Sequence, residues 1–389
     1  MARPATPKQR SKSLLPERSQ KRSAPAPGDW PDPSDYTDKG KFLQEEVREI
    51  SNHNKMPEVD IGYEPKVVRH GVSEHVDHED VGMITSNWVL FKSEVTALAL
   101  EGLYGCTSVV LVSRRGAWIS HIFEEDMSFE PKFRYRVLED MHEGLPPNHP
   151  SHRLFQYGLD DLIRKPRRGN AGVMFGDNEE TPQSLGMRAF IVTPRPRPQR
   201  ELGNGESLSD NVLMHDTTIN RGHVLYQRSV QRLAHNLTQT YGDIPVEVID
   251  YAPAMVPNRL YRKLNDQNRR HHSESQRVNR EVADYFSKAL AVTPRGKILL
   301  QYRPAKTCVQ RASWRLWVEE QEIGSRTEEW TPTYDQIFQS GGLNQNPVRR
   351  QTCPTTFSHK TSMVGARSST FTFSGTSARC PPHDTIGMR

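Results

Sequence analysis

Residues 105–121 read Gly-Cys-Thr-Ser-Val-Val-Leu-Val-Ser-Arg-Arg-Gly-Ala-Trp-Ile-Ser-His and decide the fold of this chain. Two runs rich in apolar residues, 109–112 and 117–123, flank the polar residues 113–116. Apolar and β-branched runs on either side of a short polar segment that contains glycine are typical of a β-hairpin. The segment therefore predicts two antiparallel strands that are joined by a four-residue loop.

The predicted hairpin brings a thiol and an imidazole to its open end. If residues 113–116 form the loop, His121 lies opposite Ser108, and Cys106 is its diagonal neighbour on the same face. Diagonal neighbours lie about 7–8 Å apart at Cα and somewhat closer at Cβ, so an imidazole can reach the sulfur. A two-residue loop at residues 115–116 would instead pair His121 with Val110 and separate the two groups.

A thiol beside an imidazole is suited to nucleophilic catalysis. The thiolate is the nucleophile, and a neighbouring histidine can lower the pKa of the thiol and later protonate the leaving group. The structural alternative is that Cys106 packs as a small buried residue and that His121 bonds to the backbone. Cys308 is a rival nucleophile with Lys306 nearby, but no histidine lies within thirty residues of it.

The block from Gly105-Cys106-Thr107 to His121 resembles the catalytic core of glutamine deamidases of the cytotoxic necrotizing factor type. Bacterial chemoreceptor deamidases are more distant relatives. In that family a Gly-Cys step precedes a strand and the catalytic histidine follows about fifteen residues later, which is the separation found here. The resemblance covers about twenty to thirty of the 389 residues. It implies a sheet sandwich flanked by helices and a thioester formed on Cys106, with main-chain N–H groups beside Gly105 holding the oxyanion.

One position departs from the toxin pattern, because Tyr104 stands where the toxins usually have serine before the Gly-Cys step. The third catalytic member of the toxins is a main-chain carbonyl, which a sequence does not reveal. Thr85, Ser86 and Asn87 precede an apolar run and are candidates for the group that orients His121.

Strand and helix patterns alternate irregularly along the central part of the chain. Strands are expected at residues 83–91, 187–193, 244–249, 297–302 and 313–318, and helices at 128–144 and 219–241. Residues 93–103 are expected to be a short helix or an irregular approach to Cys106. Without a regular βαβ repeat, this order predicts an α+β fold with a mixed or largely antiparallel sheet.

Composition predicts ordered residues in the middle and polar ends. Apolar residues make up 34% of the chain and 28 residues are proline, which is typical of a protein with long disordered segments. We expect a disordered basic tail at residues 1–35 and a polar linker at 36–80 that could hold a short helix. The expected catalytic α+β domain is then 81–325, and a disordered tail rich in Ser, Thr, Pro and Arg follows at 326–389.

The chain carries no sign of secretion or of membrane insertion. No secretory segment follows Met1 and no run of eighteen apolar residues occurs. Four cysteines at irregular spacing favour a reducing compartment. We expect a soluble cytoplasmic protein, with the nucleus as the alternative because of the basic N-terminal run, and no membrane partner.

Other sites have less support. The net charge of +5 is small for this length, so a nucleic-acid partner is not predicted. Histidines 70, 75 and 78 lie among acidic residues, but an exposed polar loop explains them without a metal. Phosphate-binding and serine-hydrolase motifs are absent, and no cofactor is expected.

The sequence thus predicts a cysteine-dependent amidohydrolase that resembles the protein-glutamine deamidases. Cys106 and His121 are its expected catalytic residues, with Gly105 and Thr107 supporting them. The expected partner is a protein that presents a glutamine side chain, and the oligomeric state is left open. Two alternatives are a non-catalytic interaction module on the same fold and a transglutaminase, in which a lysine amine resolves the thioester.

Overall fold

The computed structural model describes residues 30–53, 64–68, 84–149, 152, 155–163, 174–177, 179–198, 218–253, 255, 281, 285, 293–305 and 310–331. Three sequence predictions lie outside these residues: the two polar ends at 1–29 and 332–389, the histidine-rich run at 70–80, and Cys308. Among the described residues, no helix combines the length and the apolar composition that crossing a membrane requires.

Ten strands form two five-stranded sheets. They are β1 (Glu64–Val68), β2 (Thr85–Leu90), β3 (Thr96–Leu100), β4 (Ser108–Val112), β5 (Gly116–His121), β6 (Arg188–Pro194), β7 (Val246–Tyr251), β8 (Ile298–Arg303), β9 (Ala312–Val318) and β10 (Gln321–Trp330). The first sheet has the order β1-β3-β8-β9-β10, and the second has the order β2-β5-β4-β6-β7. Only the β1–β3 and β6–β7 pairs among these strands are parallel.

The helices are α1 (Lys39–His53), α2 (Glu124–Ser128), α3 (Glu130–Lys132), a π-helix (Phe133–Asp140), α4 (Met141–Glu143) and α5 (Gln227–Tyr241). Short 3₁₀ turns occur at Pro33–Asp35 and Asp160–Leu162. Helices and two mostly antiparallel sheets together make an α+β fold, as the sequence predicted.

The helices and sheets form four layers, and one apolar cluster lies between each pair of neighbouring layers. The largest cluster joins the facing sides of the two sheets, for example Val110 and Ile119 of the second sheet with Leu300 and Leu316 of the first. A second cluster packs the π-helix and α5 against the outer side of the second sheet. A third cluster packs α1 against the outer side of the first sheet. The order of layers is therefore helix, sheet, sheet, helices.

Helix α5 follows the periodicity that the sequence displays. Its apolar face, Val230, Leu233, Leu237 and Tyr241, is buried at the expected intervals, as is Tyr226 directly before the helix. The helix begins at Gln227 rather than at residue 219, because residues 218–226 form turns in which Asn220 has a positive φ of 56°. Gly242 ends the helix with a positive φ of 76°.

Residues 93–103 do not form the short helix that was one of the two predictions for this segment. Residues 96–100 (Thr-Ala-Leu-Ala-Leu) form β3, a central strand of the first sheet, and all five are buried. Alanine and leucine favour helices, but a strand that is covered on both faces shows no polar alternation. Residues 101–106 then run irregularly to Cys106.

Ordered elements extend past both expected limits of the central domain. Helix α1 buries Phe42, Leu43, Val47 and Ile50 within residues 36–80, which were expected to be a linker that could hold a short helix. At the other end, β10 runs through residue 325 and reaches Trp330, which is buried. Both elements complete the first sheet and its outer layer.

Candidate active site

The hairpin of β4 and β5 has the register that the four-residue loop requires. Val110 pairs with Ile119, Val112 pairs with Ala117, and a further bridge joins Thr107 to Ile122. The same register sets His121 opposite Ser108. The predicted register is therefore confirmed, and the alternative with a loop at residues 115–116, which would pair His121 with Val110, is wrong.

Polar contacts hold the loop at residues 113–116. The N–H of Ser113 donates to the carbonyl of Gly116 at 2.9 Å, and the Ser113 hydroxyl donates to the carbonyl of Met174 at 2.7 Å. The same hydroxyl accepts the N–H of Arg115 at 3.0 Å. The guanidinium of Arg115 forms an ion pair with Asp177 at 3.0 Å. These contacts fix the loop length, and the loop length fixes which residue faces His121.

Cys106 and His121 lie on the same face of the second sheet, the face that meets the first sheet. Cys106 belongs to the cluster between the sheets, as does Ile119, which alternation places on the same side as His121. The register makes the two residues diagonal neighbours, at about 7–8 Å between Cα atoms in a regular sheet. Cys106 is 5% exposed and His121 is 0% exposed. The imidazole also contacts the ring of Phe123, with a distance of 5.3 Å between ring centroids.

The other predicted supporting residues divide between the two faces. Thr85 is the direct register partner of His121 on β2 and is buried. Ser86 and Asn87 pair with Ser120 and Ile119, so Ser86 points to the opposite side. The structure thus brings Thr85 alone of the three next to His121.

Thr107 supports the strand and does not face the thiol. Strand alternation turns its side chain away from Cys106, and its hydroxyl lies 3.0 Å from the hydroxyl of Thr193 on β6. Both hydroxyls are buried. This pair ties β4 to β6 just beside the site.

Several strand ends converge at Cys106. Strand β4 begins at Ser108, while β5, β6 and β7 end at His121, Pro194 and Tyr251. These termini share one end of the sheet, because β4 is antiparallel to β5 and β6 and because β7 is parallel to β6. Side chains from four strands and from the segments after them can therefore meet around one thiol.

The surroundings of the Cys106 thiol act on its pKa in opposite directions. Burial raises the pKa of Cys106 to about 12, and the nearby carboxylate of Glu124 adds to this increase. Hydrogen bonds from the main-chain N–H groups of Glu124, Gly105 and Tyr104 favour the thiolate and lower the pKa. At neutral pH the thiol of the free protein is therefore protonated, although donors that could receive a negative charge surround it.

An ion pair between Glu124 and Arg197 lies directly on Gly105. The guanidinium binds the carboxylate through two hydrogen bonds, Nη1 to Oε1 at 2.6 Å and Nη2 to Oε2 at 2.7 Å. A Cβ atom on Gly105 would lie 2.5 Å from Oε2 of Glu124 and closer still to Nη2 of Arg197. Glycine at this position therefore lets the ion pair rest against the main chain next to Cys106.

Two tyrosines complete the surroundings of the thiol. The hydroxyl of Tyr251 donates to the carbonyl of Cys106 at 2.8 Å, and the hydroxyl of Tyr226 donates to the carbonyl of Gly105 at 3.4 Å. Burial raises the pKa of both phenols, and the carboxylate of Glu124 further raises that of Tyr226. Both hydroxyls therefore stay protonated and can act as donors.

Sequence reasoning missed Glu124, Arg197, Tyr226 and Tyr251. Glu124 directly follows the second strand of the hairpin, so its closeness to Cys106 could have been inferred from the register. Arg197 lies in a Pro-Arg-Pro-Arg-Pro run that indicates only the end of a strand. The two tyrosines are residues of an apolar face and of a strand, and nothing in their spacing indicates the thiol.

Within the part of the chain that the structure describes, no three His, Cys, Asp or Glu side chains converge to hold a metal ion. His142 and His152 also lie away from Cys106. His142 contacts Asp160 and Asn236, and His152 contacts the carbonyl of Leu145.

Comparison of the chain with protein-family models, with curated proteins and with solved structures finds no match.

Proposed function

We propose that this protein is a cysteine-dependent amidohydrolase that deamidates glutamine side chains of a protein substrate. The observation that carries the proposal is the register of β4 and β5, which makes Cys106 and His121 diagonal neighbours on one face. The choice of glutamine comes from the resemblance of this block to the toxin deamidases.

The reaction follows from the chemistry of a thiol and an imidazole. His121 takes the proton of the Cys106 thiol as the sulfur attacks the carboxamide carbon. The same proton passes to the amide nitrogen, ammonia leaves, and a thioester remains. Water then attacks the thioester, with His121 taking its proton and returning it to the departing sulfur. The balance is one amide and one water converted into one carboxylic acid and one ammonia.

Burial of the thiol determines how it must be activated. Because the pKa of Cys106 is raised to about 12, a thiolate–imidazolium pair is not the resting state. The proton transfer to His121 accompanies the attack, as in serine hydrolases. The main-chain N–H groups of Gly105 and Glu124 are suited to hold the negative oxygen of the tetrahedral intermediate, since they already point at the sulfur.

Ammonia release from glutamine-containing proteins tests the proposal directly. We expect wild-type protein to release ammonia, and both Cys106→Ser and His121→Gln to reduce the rate at least about a hundredfold, since general acid–base catalysis contributes about 10²–10⁴. His142→Gln is a matched control, because this histidine lies away from Cys106. A Cys106→Ser protein as fast as wild type would eliminate the proposal. A transglutaminase would also release ammonia, but it would in addition incorporate a fluorescent primary amine into the substrate protein.

The second candidate, a non-catalytic interaction module, is favoured by the burial of both groups. A fully buried imidazole and a thiol with a raised pKa also fit a packing role. The two candidates differ in how iodoacetamide alkylates Cys106 between pH 6 and pH 10. A packing role predicts a rate that rises about tenfold per pH unit and does not change in His121→Gln. The catalytic role predicts an additional rate below pH 8 that His121→Gln removes.

A further inference from the structure

The Glu124–Arg197 ion pair lies on the solvent side of Cys106. The side chains of Glu124 and Arg197 are 42% and 36% exposed, whereas Cys106 is 5% exposed and His121 is fully buried. On the inner side, the first sheet covers the thiol and the imidazole. A substrate that reaches the sulfur therefore passes beside this ion pair.

The carboxylate of Glu124 is held in a defined orientation. Arg197 binds both of its oxygens, and the hydroxyl of Tyr226 also contacts it. The main chain of the same residue points its N–H at the sulfur. Since an ionised carboxylate offers about four acceptor positions, acceptor capacity remains for a further donor. A fixed acceptor beside a nucleophilic sulfur is suited to recognise the group that the sulfur attacks.

We propose that Glu124 is a specificity-determining residue that accepts a hydrogen bond from the NH₂ group of the substrate carboxamide. The inference rests on the proposed function. A carboxamide presents N–H donors to Glu124, whereas the carboxylate product presents only acceptors and a negative charge. Glu124 therefore binds the amide substrate and repels the acid product. Gly105 makes this arrangement possible, because it lets the carboxylate approach the Gly-Cys step.

Two small alkylating reagents test whether the site prefers a carboxamide to a carboxylate, and neither requires catalytic turnover. Iodoacetamide carries a carboxamide and iodoacetate carries a carboxylate, and both react by forming a bond between Sγ and the methylene carbon. Iodide leaves, and the thiol proton passes to solvent. The full-length protein is treated with each reagent in turn, and alkylation of the Cys106 peptide is followed by mass spectrometry. The ratio of the two rates is divided by the same ratio for glutathione.

We expect the normalised ratio to be at least about tenfold in favour of iodoacetamide, because a hydrogen bond to a charged group changes an affinity by about that factor or more. Glu124→Gln is expected to reduce the ratio to about that of glutathione. Glu130→Gln is the matched control, because Glu130 forms an exposed ion pair with Arg232 and should retain the wild-type ratio. The double variant Glu124→Gln/Arg197→Gln distinguishes the effect of losing the carboxylate from the effect of the unpaired guanidinium. Its ratio should remain about equal to that of glutathione.

Three outcomes would overturn the inference: a wild-type ratio equal to that of glutathione, an unchanged ratio in Glu124→Gln, or a wild-type ratio in the double variant. The last outcome would mean that the low ratio of Glu124→Gln arises because the guanidinium of Arg197, without its carboxylate partner, attracts iodoacetate.

The ratio of the two alkylation rates is independent of deamidation. If the ratio behaves as expected but no ammonia is released, the proposed function fails and the recognition of carboxamides stands. If ammonia is released and the ratio is unchanged, only the role of Glu124 fails.

Discussion

Tyr251 and Cys106 are joined by a hydrogen bond, from the phenolic hydroxyl to the main-chain carbonyl, that spans 145 residues of sequence. The bond connects the last residue of β7 to Cys106, two residues before β4, with both partners buried. It holds the main chain of Cys106, while the ion pair of Glu124 and Arg197 lies against the neighbouring Gly105. The position of the thiol therefore depends on a strand that is distant in sequence.

Tyr251→Phe is expected to lower the free energy of unfolding by about 1–2 kcal/mol, because it leaves a buried carbonyl without its donor. Tyr241→Phe is a matched control, since its buried hydroxyl donates to the carbonyl of Leu159 at 3.0 Å. Urea unfolding should give a smaller loss for Tyr241→Phe, because the carbonyl of Leu159 keeps the N–H of Leu162 as a donor at 3.2 Å. Only Tyr251→Phe should change the alkylation rate of Cys106, and an equal change in both variants would contradict a positioning role.

Gly105→Ala is expected to fold with a loss of about 1 kcal/mol or less, because its new Cβ meets the far ends of two flexible side chains. It should displace the ion pair, so the preference of Cys106 for iodoacetamide over iodoacetate should fall. Gly158→Ala is the contrasting variant, since a Cβ there would meet the main chain of His142 and Gly144. It should lose more than about 2 kcal/mol in urea unfolding and leave the preference unchanged. Retention of the preference in Gly105→Ala would contradict the close contact.

Asp126 is expected to make the stability of the protein depend on pH. Burial raises the pKa of Asp126 to about 7, and Nη1 of Arg136, at 3.7 Å, is too distant for a hydrogen bond. Between about pH 4 and pH 7 the folded state keeps a proton that the unfolded state has lost, so stability falls as the pH rises through this range.

Asp126→Asn removes this contribution and should stabilise the protein by up to about 4 kcal/mol at pH 8, with little effect at pH 4. Urea unfolding at the two pH values measures the difference. Glu125→Gln, an exposed neighbour in an ion pair with Lys132, should show no such increase between the two values. A stabilisation of Asp126→Asn that is the same at both pH values would show that the charge of Asp126 is not its cause.

Ser113→Ala is expected to destabilise the loop that sets the register of β4 and β5. It removes the donor to the carbonyl of Met174 and the acceptor of the Arg115 N–H, so the loss should be about 1–2 kcal/mol. Ser128→Ala removes an exposed hydroxyl that donates to the main-chain carbonyl of Glu125 at 3.2 Å. It should change the free energy of unfolding by less than about 0.5 kcal/mol. Equal stabilities of the two variants in urea would contradict the role of Ser113.

The hairpin could be predicted from sequence because its determinants are local. Residues 113–116 combine a serine, two arginines and a glycine, and the side-chain parity on either side fixes which residues share the face of Cys106. The apolar face of α5 could also be predicted, since its four buried residues and Tyr226, directly before the helix, recur with a helical period. Both predictions need only residues that are near each other in the chain.

The remaining features depend on contacts between distant residues. Strand β3 lies between β1 and β8 and is buried on both sides, so its Thr-Ala-Leu-Ala-Leu sequence lacks the alternation that indicates a strand. Arg197 reaches Glu124 across 73 residues, and Tyr226 reaches Gly105 across 121. The ion pair and the hydroxyls of the site are therefore consequences of sheet order, which the sequence patterns did not determine.

The separation between Cys106 and its neighbours has a consequence for synthesis of the protein. A growing chain on the ribosome contains the hairpin long before it contains Tyr251, and β8, the partner of β3, follows only at residues 298–303. The surroundings of Cys106 therefore cannot be assembled in a nascent chain that lacks its last strands. Because these pairings join distant segments, the final association of the sheets is also expected to be slow. The newly made protein passes through a period in which the thiol of Cys106 is present but its folded surroundings are not.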